Sequence, residues 1–379
     1  MDQKLAVLFM PDDMTLTKEQ APLMLRPILF CPILTWMVEE LMGRGIERFF
    51  IVSDKRAHDM MRPYVPEKAD VVYVDGARHG EELLTLLKDE KGSVLIVNGA
   101  VLPVGVFSGG AVYSADAKEC CKVLKEHGAF AAFPKGAEIT KGFLPVGDDE
   151  ELRSAQDMCR RKIADKHFAA GVSIMDPNNT YIDPRVKIGS GTVILPGTIL
   201  RGRTVIGKNC TIGPNAIIRD CTVGDETEVN ASQLNESTVG AHTTVGPFAY
   251  VRPNSKIGDH VKVGDFVEIK NSVIGNGTKI SHLTYVGDSD CGERINFGCG
   301  TVTTNYDGFK KFRCTIGDDA FIGCNTNLIA PVTVGNGSYI AAGSTITDEV
   351  PADSLAIARE RQVNKPGWAE QWRAAHEKK

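Results

Sequence analysis

Three histidines between residues 242 and 282 have the side chain best suited to exchange a proton near neutral pH. His242 and His260 are 18 residues apart, and each lies three positions after an aliphatic residue. We expect these two to face solvent and to stack on each other. His282 lies two positions after Ile280 and is out of line with them. This mismatch argues against several histidines converging on one zinc ion.

The overall composition narrows the class of protein. The chain has 379 residues, enough for two domains, with 42% hydrophobic content and a net charge of −5. That charge argues against nucleic-acid binding and against a membrane-surface role. There is no run of 18 apolar residues, and the first residues predict a strand rather than a signal peptide. We therefore expect a cytoplasmic protein with no nucleic-acid or membrane partner.

The ten cysteines contain no Cys-x-x-Cys pair. Cys120 and Cys121 are neighbours, and the others stand apart along the sequence. We expect small buried thiols in a reducing compartment rather than disulfides or a zinc site.

Apolar residues recur every six positions, a period that fits neither a helix nor a strand and marks an internal repeat. The ladders are Ile182, Ile188, Ile194, Leu200, Ile206, Ile212, Ile218; Val245, Val251, Ile257, Val263, Ile269; and Ile316, Ile322, Leu328, Val334, Ile340, Ile346. One aliphatic side chain per short strand would point inward, and three strands per coil would enclose a continuous apolar stack. About half of the chain is therefore predicted to be a parallel β-helix.

Glycine often follows the apolar residue of the repeat. The positions are Gly189, Gly207, Gly213, Gly258, Gly264, Gly317, Gly323 and Gly335. We expect these glycines to turn the corners of the coil with positive φ.

Strand-like and helical runs alternate upstream of residue 170. The predicted strands are Leu5–Phe9, Arg48–Val52, Val71–Val74 and Val94–Val97, with helices around Pro32–Gly43 and Glu81–Lys88. This alternation is typical of a doubly wound α/β sheet. We place an α/β domain at 1–148, a linker helix at 149–170, the β-helix at 171–364 and a terminal helix and tail at 365–379.

A long interruption of the repeat lies between Phe297 and Ile316 and contains residues 303–313, and this is where a rigid coil would position a functional loop. Nearby motifs read His-Leu-Thr-Tyr-x-Gly-Asp from His282, Asn-Tyr-Asp-Gly from Asn305, Ala-Pro-Val-Thr-Val-Gly from Ala330 and Ile-Ala-Ala-Gly from Ile340. With these motifs, residues 246–368 resemble the acetyltransferase domain of the bifunctional N-acetylglucosamine-1-phosphate uridyltransferase/glucosamine-1-phosphate acetyltransferase family. The resemblance implies a left-handed coil, which periodicity alone does not reveal.

The resemblance also implies the substrate site. His282 corresponds to the base that takes the proton of the sugar amine as the amine attacks the thioester of acetyl-CoA. Arg252 and Lys270 correspond to residues that hold the sugar phosphate, the first as a bidentate fork and the second as a point charge. The other implied substrate contacts are Tyr285, Asn296 and Lys311.

For acetyl-CoA, the resemblance implies contacts at Cys299, Asn305, Tyr306, Cys324, Ala342 and Arg359, and no metal. Cys299 stands where alanine is usual and Cys324 where serine is usual. Contacts to the backbone would survive both changes, whereas a hydroxyl contact at 324 would be weakened.

The N-terminal domain resembles the nucleotidyltransferase half of the family only loosely. The glycine-rich phosphate loop of an active domain corresponds here to residues 9–14, which contain no glycine. The Pro-Lys that follows reads Pro22-Leu23, and the position of the Mg²⁺-binding aspartate falls within residues 97–100, Val-Asn-Gly-Ala. We therefore expect a degenerate nucleotidyltransferase-like domain without uridylyl transfer, and a separate uridyltransferase.

Three functions remain open. The leading one is acetylation of glucosamine 1-phosphate to N-acetylglucosamine 1-phosphate for UDP-N-acetylglucosamine synthesis. The alternatives are acetyl transfer to another amino sugar or sugar nucleotide, and a non-catalytic trimeric scaffold. A β-helical zinc-dependent carbonic anhydrase is disfavoured by the position of His282. The family places its acetyl site between neighbouring prisms, which implies a homotrimer.

Overall fold

The computed structural model describes residues 4–10, 22–76, 79–104 and 110–376. The chain divides into two compact units, residues 1–220 and 221–379. The finer domain boundaries at 148, 170 and 364 stay a prediction. Most of the glycine-free stretch at 9–14 lies outside the described residues.

A six-stranded sheet organises the N-terminal part of the first unit. In spatial order its strands are Asp70–Asp75, Arg48–Ser53, Leu5–Phe9, Ser93–Asn98, Val112–Asp116 and Glu138–Ile139. The first four are parallel, and the last two pair antiparallel. The helices are α1 (Ile33–Gly43), α2 (Lys55–Met61), α3 (His79–Lys88) and α4 (Ala117–His127). All of Leu5–Phe9 is buried, as expected of a strand covered on both faces. The predicted doubly wound α/β domain is confirmed.

Shorter elements complete this part of the unit. Pro27–Ile28 pairs with Cys31–Pro32, Val101–Leu102 pairs with Leu144–Pro145, and 3₁₀ turns lie at Leu23–Leu25, Arg62–Tyr64 and Pro177–Asn179.

Helix α5 (Asp149–Ala169) begins after Asp148, whose carboxylate accepts hydrogen bonds from the backbone N–H groups of Glu150 and Glu151 at 2.9 and 2.8 Å. Its buried side includes Cys159, Ile163 and His167. Burial lowers the pKa of His167 to about 4, so this imidazole is neutral and packs as a core residue.

The hexads fold as short parallel strands in both units. In the first unit the strands are Ser173–Ile174, Tyr181–Ile182, Lys187–Ile188, Val193–Ile194, Ile199–Arg201, Val205–Ile206, Thr211–Ile212 and Ile217–Arg219. The second unit has three faces, which we call A, B and C. Face A contains Gln233–Asn235, Tyr250–Val251, Glu268–Lys270, Tyr285–Gly287, Val302–Thr304, Asn327–Ile329 and Thr345–Ile346. Face B contains Glu228–Val229, Thr244–Val245, Lys262–Asp265, Lys279–His282, Asn296–Phe297, Phe321–Ile322, Tyr339–Ile340 and Leu355–Ala356. Face C contains Thr222–Val223, Thr238–Val239, Lys256–Ile257, Val273–Ile274, Ser289–Cys291, Cys314–Ile316 and Val332–Val334.

The ladder residues form the interior of the coil. On face A, Val251 pairs in register with Ile269 and Ile269 with Val286, and all three are fully buried. Each aliphatic side chain therefore packs on its equivalent in the next coil. The fold is a left-handed parallel β-helix, as predicted. Helix α6 (Trp368–His376) follows it with Trp368 and Trp372 stacked and exposed.

The predicted role of the repeat glycines is wrong for most of them. Among the eight, only Gly213 has positive φ, at +103°. Six of the others lie where two coils almost touch, namely Gly189, Gly258, Gly264, Gly317, Gly323 and Gly335. A Cβ added at Gly323 would lie 2.5 Å from the backbone nitrogen of Ala342, and one at Gly264 would collide with the carbonyl oxygen of Ser281. These glycines therefore serve close approach of the coils, and the left-handed corner residues come two positions later, as at Asn325.

The stacking of His242 on His260 is confirmed, with ring centroids 4.8 Å apart and nearly parallel planes. In the described part of the chain, no helix has the length and apolar character needed to cross a membrane.

Candidate functional site

The predicted substrate residues Arg252 and Lys270 lie at one corner of the second unit, one coil apart. Each follows an inner residue of face A, and the backbone N–H of Arg252 donates to the carbonyl of Ile269 at 2.8 Å. Parallel pairing at this spacing puts equivalent side chains of successive coils about 4.8 Å apart along the coil axis. The corner therefore presents two cations side by side.

Lys311 joins this corner from the loop after face A. It is in contact with Lys270 and within electrostatic reach of Arg252, and we call these three residues the cationic cluster. Contact with the ammonium of Lys270 lowers the pKa of Lys311, because two like charges oppose each other. An anion bound between them would relieve this repulsion.

Two acidic partners hold the other cations. Nη1 of Arg252 donates to Oε1 of Glu268 at 2.8 Å, which raises the pKa of this guanidinium. Burial opposes the charge of Lys270 and lowers its pKa, but the carboxylate of Asp288 at 3.3 Å outweighs this effect, so the pKa of Lys270 lies above its usual value. Lys270 is therefore charged although its side chain is largely buried.

Asp288 anchors the corner, a role that was not predicted for it although it is the last residue of the His-Leu-Thr-Tyr-x-Gly-Asp motif. It is 4% exposed, and its carboxylate accepts hydrogen bonds from Lys270, Asn271 and Asn305. Burial opposes ionisation, yet these three donors together lower the pKa of Asp288 below its usual value. Asp288 has φ of +48°, a conformation that favours Asp, Asn and Gly. The one-coil separation of 18 residues from Lys270 was the sequence pattern that could have found it.

Tyr285 lies within electrostatic reach of Arg252 and Lys270. Gly287, two residues later, pairs in register with Lys270, and a Cβ there would lie 2.3 Å from the Tyr285 hydroxyl. The absence of a side chain at 287 therefore lets the tyrosine ring lie beside the cations.

His282 lies at the next corner, where face B ends. Its Nδ1 is 2.5 Å from Oδ1 of Asp265, the residue paired with it in the preceding coil. The hydrogen bond from His282 lowers the pKa of Asp265, so the carboxylate is ionised and Nδ1 carries the hydrogen. Nε2 of the half-exposed imidazole is then the nitrogen that accepts a proton. Asp265 occupies the position equivalent to His282 one coil earlier, and no role was predicted for it from the sequence.

Three of the predicted coenzyme residues lie at the same corner as His282, one in each of the following coils. Cys299, Cys324 and Ala342 occupy, in successive coils, the position that His282 occupies, since Ile280, Phe297, Ile322 and Ile340 pair in register. We call His282 and these three residues the corner row. Three strand spacings give it a length of about 14 Å. A Cβ added at Gly343 would lie 3.6 Å from Cδ of Arg359, so this arginine lies beside the far end of the row.

The predicted coenzyme residues Asn305 and Tyr306 lie elsewhere. The Asn305 amide is buried against Asp288 in the cationic corner. Tyr306 forms an antiparallel bridge with Lys311, and the carboxylate of Asp307 caps the intervening turn by accepting from the N–H groups of Phe309 and Lys310. Residues 306–311 thus form a short hairpin whose Phe309 side chain is 90% exposed.

Asn296 belongs to face B, where it pairs in register with Lys279 and Phe321. It is therefore on the face that leads to His282 rather than at the cationic corner. The described residues contain no group of three or more His, Cys, Asp or Glu side chains placed to hold a metal ion.

Comparison with known proteins gives the repeat its family. The model for the bacterial transferase hexapeptide (six repeats) matches residues 236–271 and 313–348, and that for the hexapeptide repeat of succinyl-transferase matches 203–231. The bifunctional protein GlmU of Caldanaerobacter subterraneus subsp. tengcongensis is 51% identical over 228 residues, 60% of this chain and 50% of that protein. GlmU of Thermoanaerobacter pseudethanolicus is 47% identical over 262 residues, 69% of this chain and 56% of that protein.

The chain is a relative of the GlmU proteins. The family resemblance given by the motifs is thereby confirmed, and the chain spans about half the length of the curated relatives that it matches. A solved UDP-N-acetylglucosamine acyltransferase from Campylobacter jejuni is 15% identical with a TM-score of 0.34, covering 50% of this chain and 72% of that one. No shared activity follows from that level of similarity.

Replacing Asp288 with asparagine should destabilise the β-helix at neutral pH. Asp288→Asn keeps the shape and the left-handed backbone but leaves Lys270 without its buried anion, a loss of about 2 kcal/mol. Because the pKa of Asp288 is lowered on folding, its stabilisation is complete above about pH 4 and is lost as pH falls through the folded-state pKa. The difference in unfolding free energy between the natural chain and the variant, from urea titrations, should narrow at pH 3.

Asp319→Asn is the matched control, because Asp319 also has positive φ, at +58°, but is exposed and forms its ion pair with Arg294 at the surface. It should change stability little at either pH. An Asp288→Asn variant that is as stable as Asp319→Asn at pH 7 would contradict the anchoring role.

Proposed function

We propose that the chain transfers the acetyl group of acetyl-CoA to the amine of glucosamine 1-phosphate. The observation that carries this proposal is the cationic cluster at one end of the strand Tyr285–Gly287, with the His282–Asp265 pair at the other end. A substrate with an amine near a phosphate needs both: fixed cations for the phosphate and a base for the amine. Tyr285 lies between them.

The His282–Asp265 pair suits the chemistry of amide formation. The nitrogen lone pair attacks the thioester carbonyl carbon, and Nε2 of His282 takes the ammonium proton that the nitrogen loses. Asp265 holds Nδ1–H, which orients the ring and stabilises the imidazolium that forms. Collapse of the tetrahedral intermediate breaks the C–S bond, and the thiolate of coenzyme A leaves and is protonated.

The corner row supports binding of the coenzyme in extended form along the coil. Its side chains after His282 are small, and its backbone lies at a corner open to solvent. A thioester placed at His282 would let the chain of the coenzyme follow Cys299, Cys324 and Ala342. Arg359 would then meet the nucleotide phosphates.

A homotrimer is part of this proposal. An exposed apolar line, Phe248, Phe266 and Leu283, runs beside the His282 corner, with the two phenylalanine rings stacked at 5.4 Å. The exposed Phe309 projects from the hairpin at the other corner. If a neighbouring copy covers this apolar line, its hairpin would reach the corner row of the first copy. This arrangement would explain why Asn305 and Tyr306 lie apart from the corner row of their own chain.

Replacing the base should reduce turnover without releasing the coenzyme. His282→Ala should lower kcat by about 10²–10⁴, the usual contribution of a positioned general base, while the Kd for acetyl-CoA stays within a factor of about two. Asp265→Asn should lower kcat less and alter the acid side of the pH profile, since it acts through the imidazole. The measurement is steady-state release of coenzyme A together with equilibrium binding.

His260→Ala is the control for this series, because His260 is an exposed histidine stacked on His242 at another corner. It should leave kcat unchanged. Near-normal turnover by His282→Ala would remove the histidine from the mechanism and leave prior deprotonation of the amine in solution as the simpler account.

Two adjacent lysines of the hairpin should behave differently. Lys311→Ala removes one cation of the cluster and should raise KM for glucosamine 1-phosphate about tenfold or more, as expected for a charge-assisted contact. Lys310→Ala should have no such effect. Both lysines are exposed, so neither change disturbs the core. Equal KM values for the two variants would argue against phosphate binding at the cluster.

We also propose that the N-terminal domain performs no uridylyl transfer, so that a separate uridyltransferase is required. Asn98 is the last residue of strand Ser93–Asn98, and the Nδ2 of its side-chain amide donates a hydrogen bond to the carbonyl of Phe130 at 3.3 Å. An amide is a weaker magnesium ligand than the carboxylate of an active domain. Incubation with UTP, Mg²⁺ and N-acetylglucosamine 1-phosphate should give no UDP-N-acetylglucosamine. Formation of this product at a rate comparable to acetylation would overturn the proposal.

A further inference from the structure

The ten cysteines fall into two groups by burial, and the expectation of buried thiols throughout is wrong for one group. Eight are buried, whereas Cys299 is half-buried and Cys324 is exposed. Burial raises the pKa of the Cys31 and Cys159 thiols to about 12 and that of Cys314 to about 11. Buried thiols of this kind are poor nucleophiles, so reactivity towards an external reagent is confined to Cys299 and Cys324.

These two accessible cysteines are also neighbours in space. They are equivalent residues of successive coils, and the backbone N–H of Asn325 donates to the carbonyl of Cys299 at 2.8 Å. A Cβ added at Gly298 would lie 2.5 Å from the backbone nitrogen of Cys324, so the coils are in close contact here. In-register parallel pairing sets the Cα atoms about 4.8 Å apart, within the roughly 4.4–6.8 Å that a disulfide requires.

We propose that Cys299 and Cys324 form a reversible disulfide that closes the corner row, with a low-molecular-weight disulfide as the oxidant. One thiolate attacks a sulfur of the oxidant, forms a mixed disulfide and expels one small thiolate, which takes up a proton. The second protein thiolate then attacks the bonded protein sulfur and expels the other small thiolate. Two protein S–H bonds are exchanged for one protein S–S bond and two small thiols, so electrons and protons balance.

The position of the bond gives it a consequence for binding, and this part rests on the proposed function. The two residues lie between His282 and Ala342, where the coenzyme would run. A bridge drawn across the row would cover the backbone at both positions and lock the two coils together. The oxidised protein is therefore expected to bind acetyl-CoA at least tenfold more weakly than the reduced protein, and reduction restores binding. In a reducing compartment, a thiol pair of this kind responds to the redox state and does not serve as a permanent structural disulfide.

The experiment uses the full chain, reduced and then exposed to oxidised glutathione, with free thiols alkylated before intact-mass and peptide analysis. The expected product is two hydrogens lighter than the reduced chain before alkylation, contains no glutathione, carries no alkyl group at Cys299 or Cys324, joins the peptides of these two residues, and reverts with dithiothreitol. Cys299→Ala and Cys324→Ser should each abolish the link. Cys121→Ser, which removes a buried cysteine on helix α4, should retain it.

Separate glutathione adducts on both thiols without a link, or a link that uses another cysteine, would overturn the disulfide. Equilibrium dialysis with labelled acetyl-CoA then tests the closure of the row. Unchanged affinity in the linked protein would overturn that closure. Absence of acetyl transfer by the fully reduced chain would contradict the proposed function instead, and the mass measurement would still decide the disulfide.

Discussion

The stacking of each coil directly on the next, at the spacing of paired parallel strands, is the constraint on which the site depends. In-register pairing makes residues 17 or 18 apart into neighbours, such as Asp265 and His282 or Lys270 and Asp288. The stack is close enough that a Cβ at Gly323 would meet the backbone of the following coil. A change in one coil therefore affects the next, and the interior ladder positions the functional side chains, apart from those of the hairpin that carries Lys311.

The stacking of the coils also buries the carboxylate of Asp288 beside the cations of the site. Asp288 loses most of its contact with water, and three donors from three different positions compensate for that loss. One of them, Asn305, comes from the base of the hairpin that carries Lys311. The same carboxylate thus holds Lys270 in its charged form and fixes the hairpin from which the third cation approaches. The repulsion between Lys270 and Lys311 would be relieved by an anion bound between them.

Much of this architecture could be predicted from the sequence, because a strict six-residue period leaves few alternatives. Strand Leu5–Phe9 and helix α5 were predicted to within a residue, since their apolar patterns are local features. The role of the repeat glycines was not predicted correctly. The contact that excludes a Cβ at these positions comes from the following coil, and local sequence propensity carries no information about it. Asp265 and Asp288 were missed for the same reason, since each acts on a residue one coil away in the chain. The accessibility of Cys299 and Cys324 likewise depends on which residues reach a corner, a property of the folded coil.

The central claim is that the cationic cluster recognises a phosphate while His282 acts on an amine of the same molecule. The most direct test compares kcat/KM of the purified chain, with saturating acetyl-CoA, for glucosamine 1-phosphate and for glucosamine. Acetylation of the phosphorylated sugar with a kcat/KM at least about 100-fold higher is expected, since one lost phosphate contact alone is worth about tenfold or more. Equal kcat/KM for the two sugars, or no acetylation of either, would contradict the account.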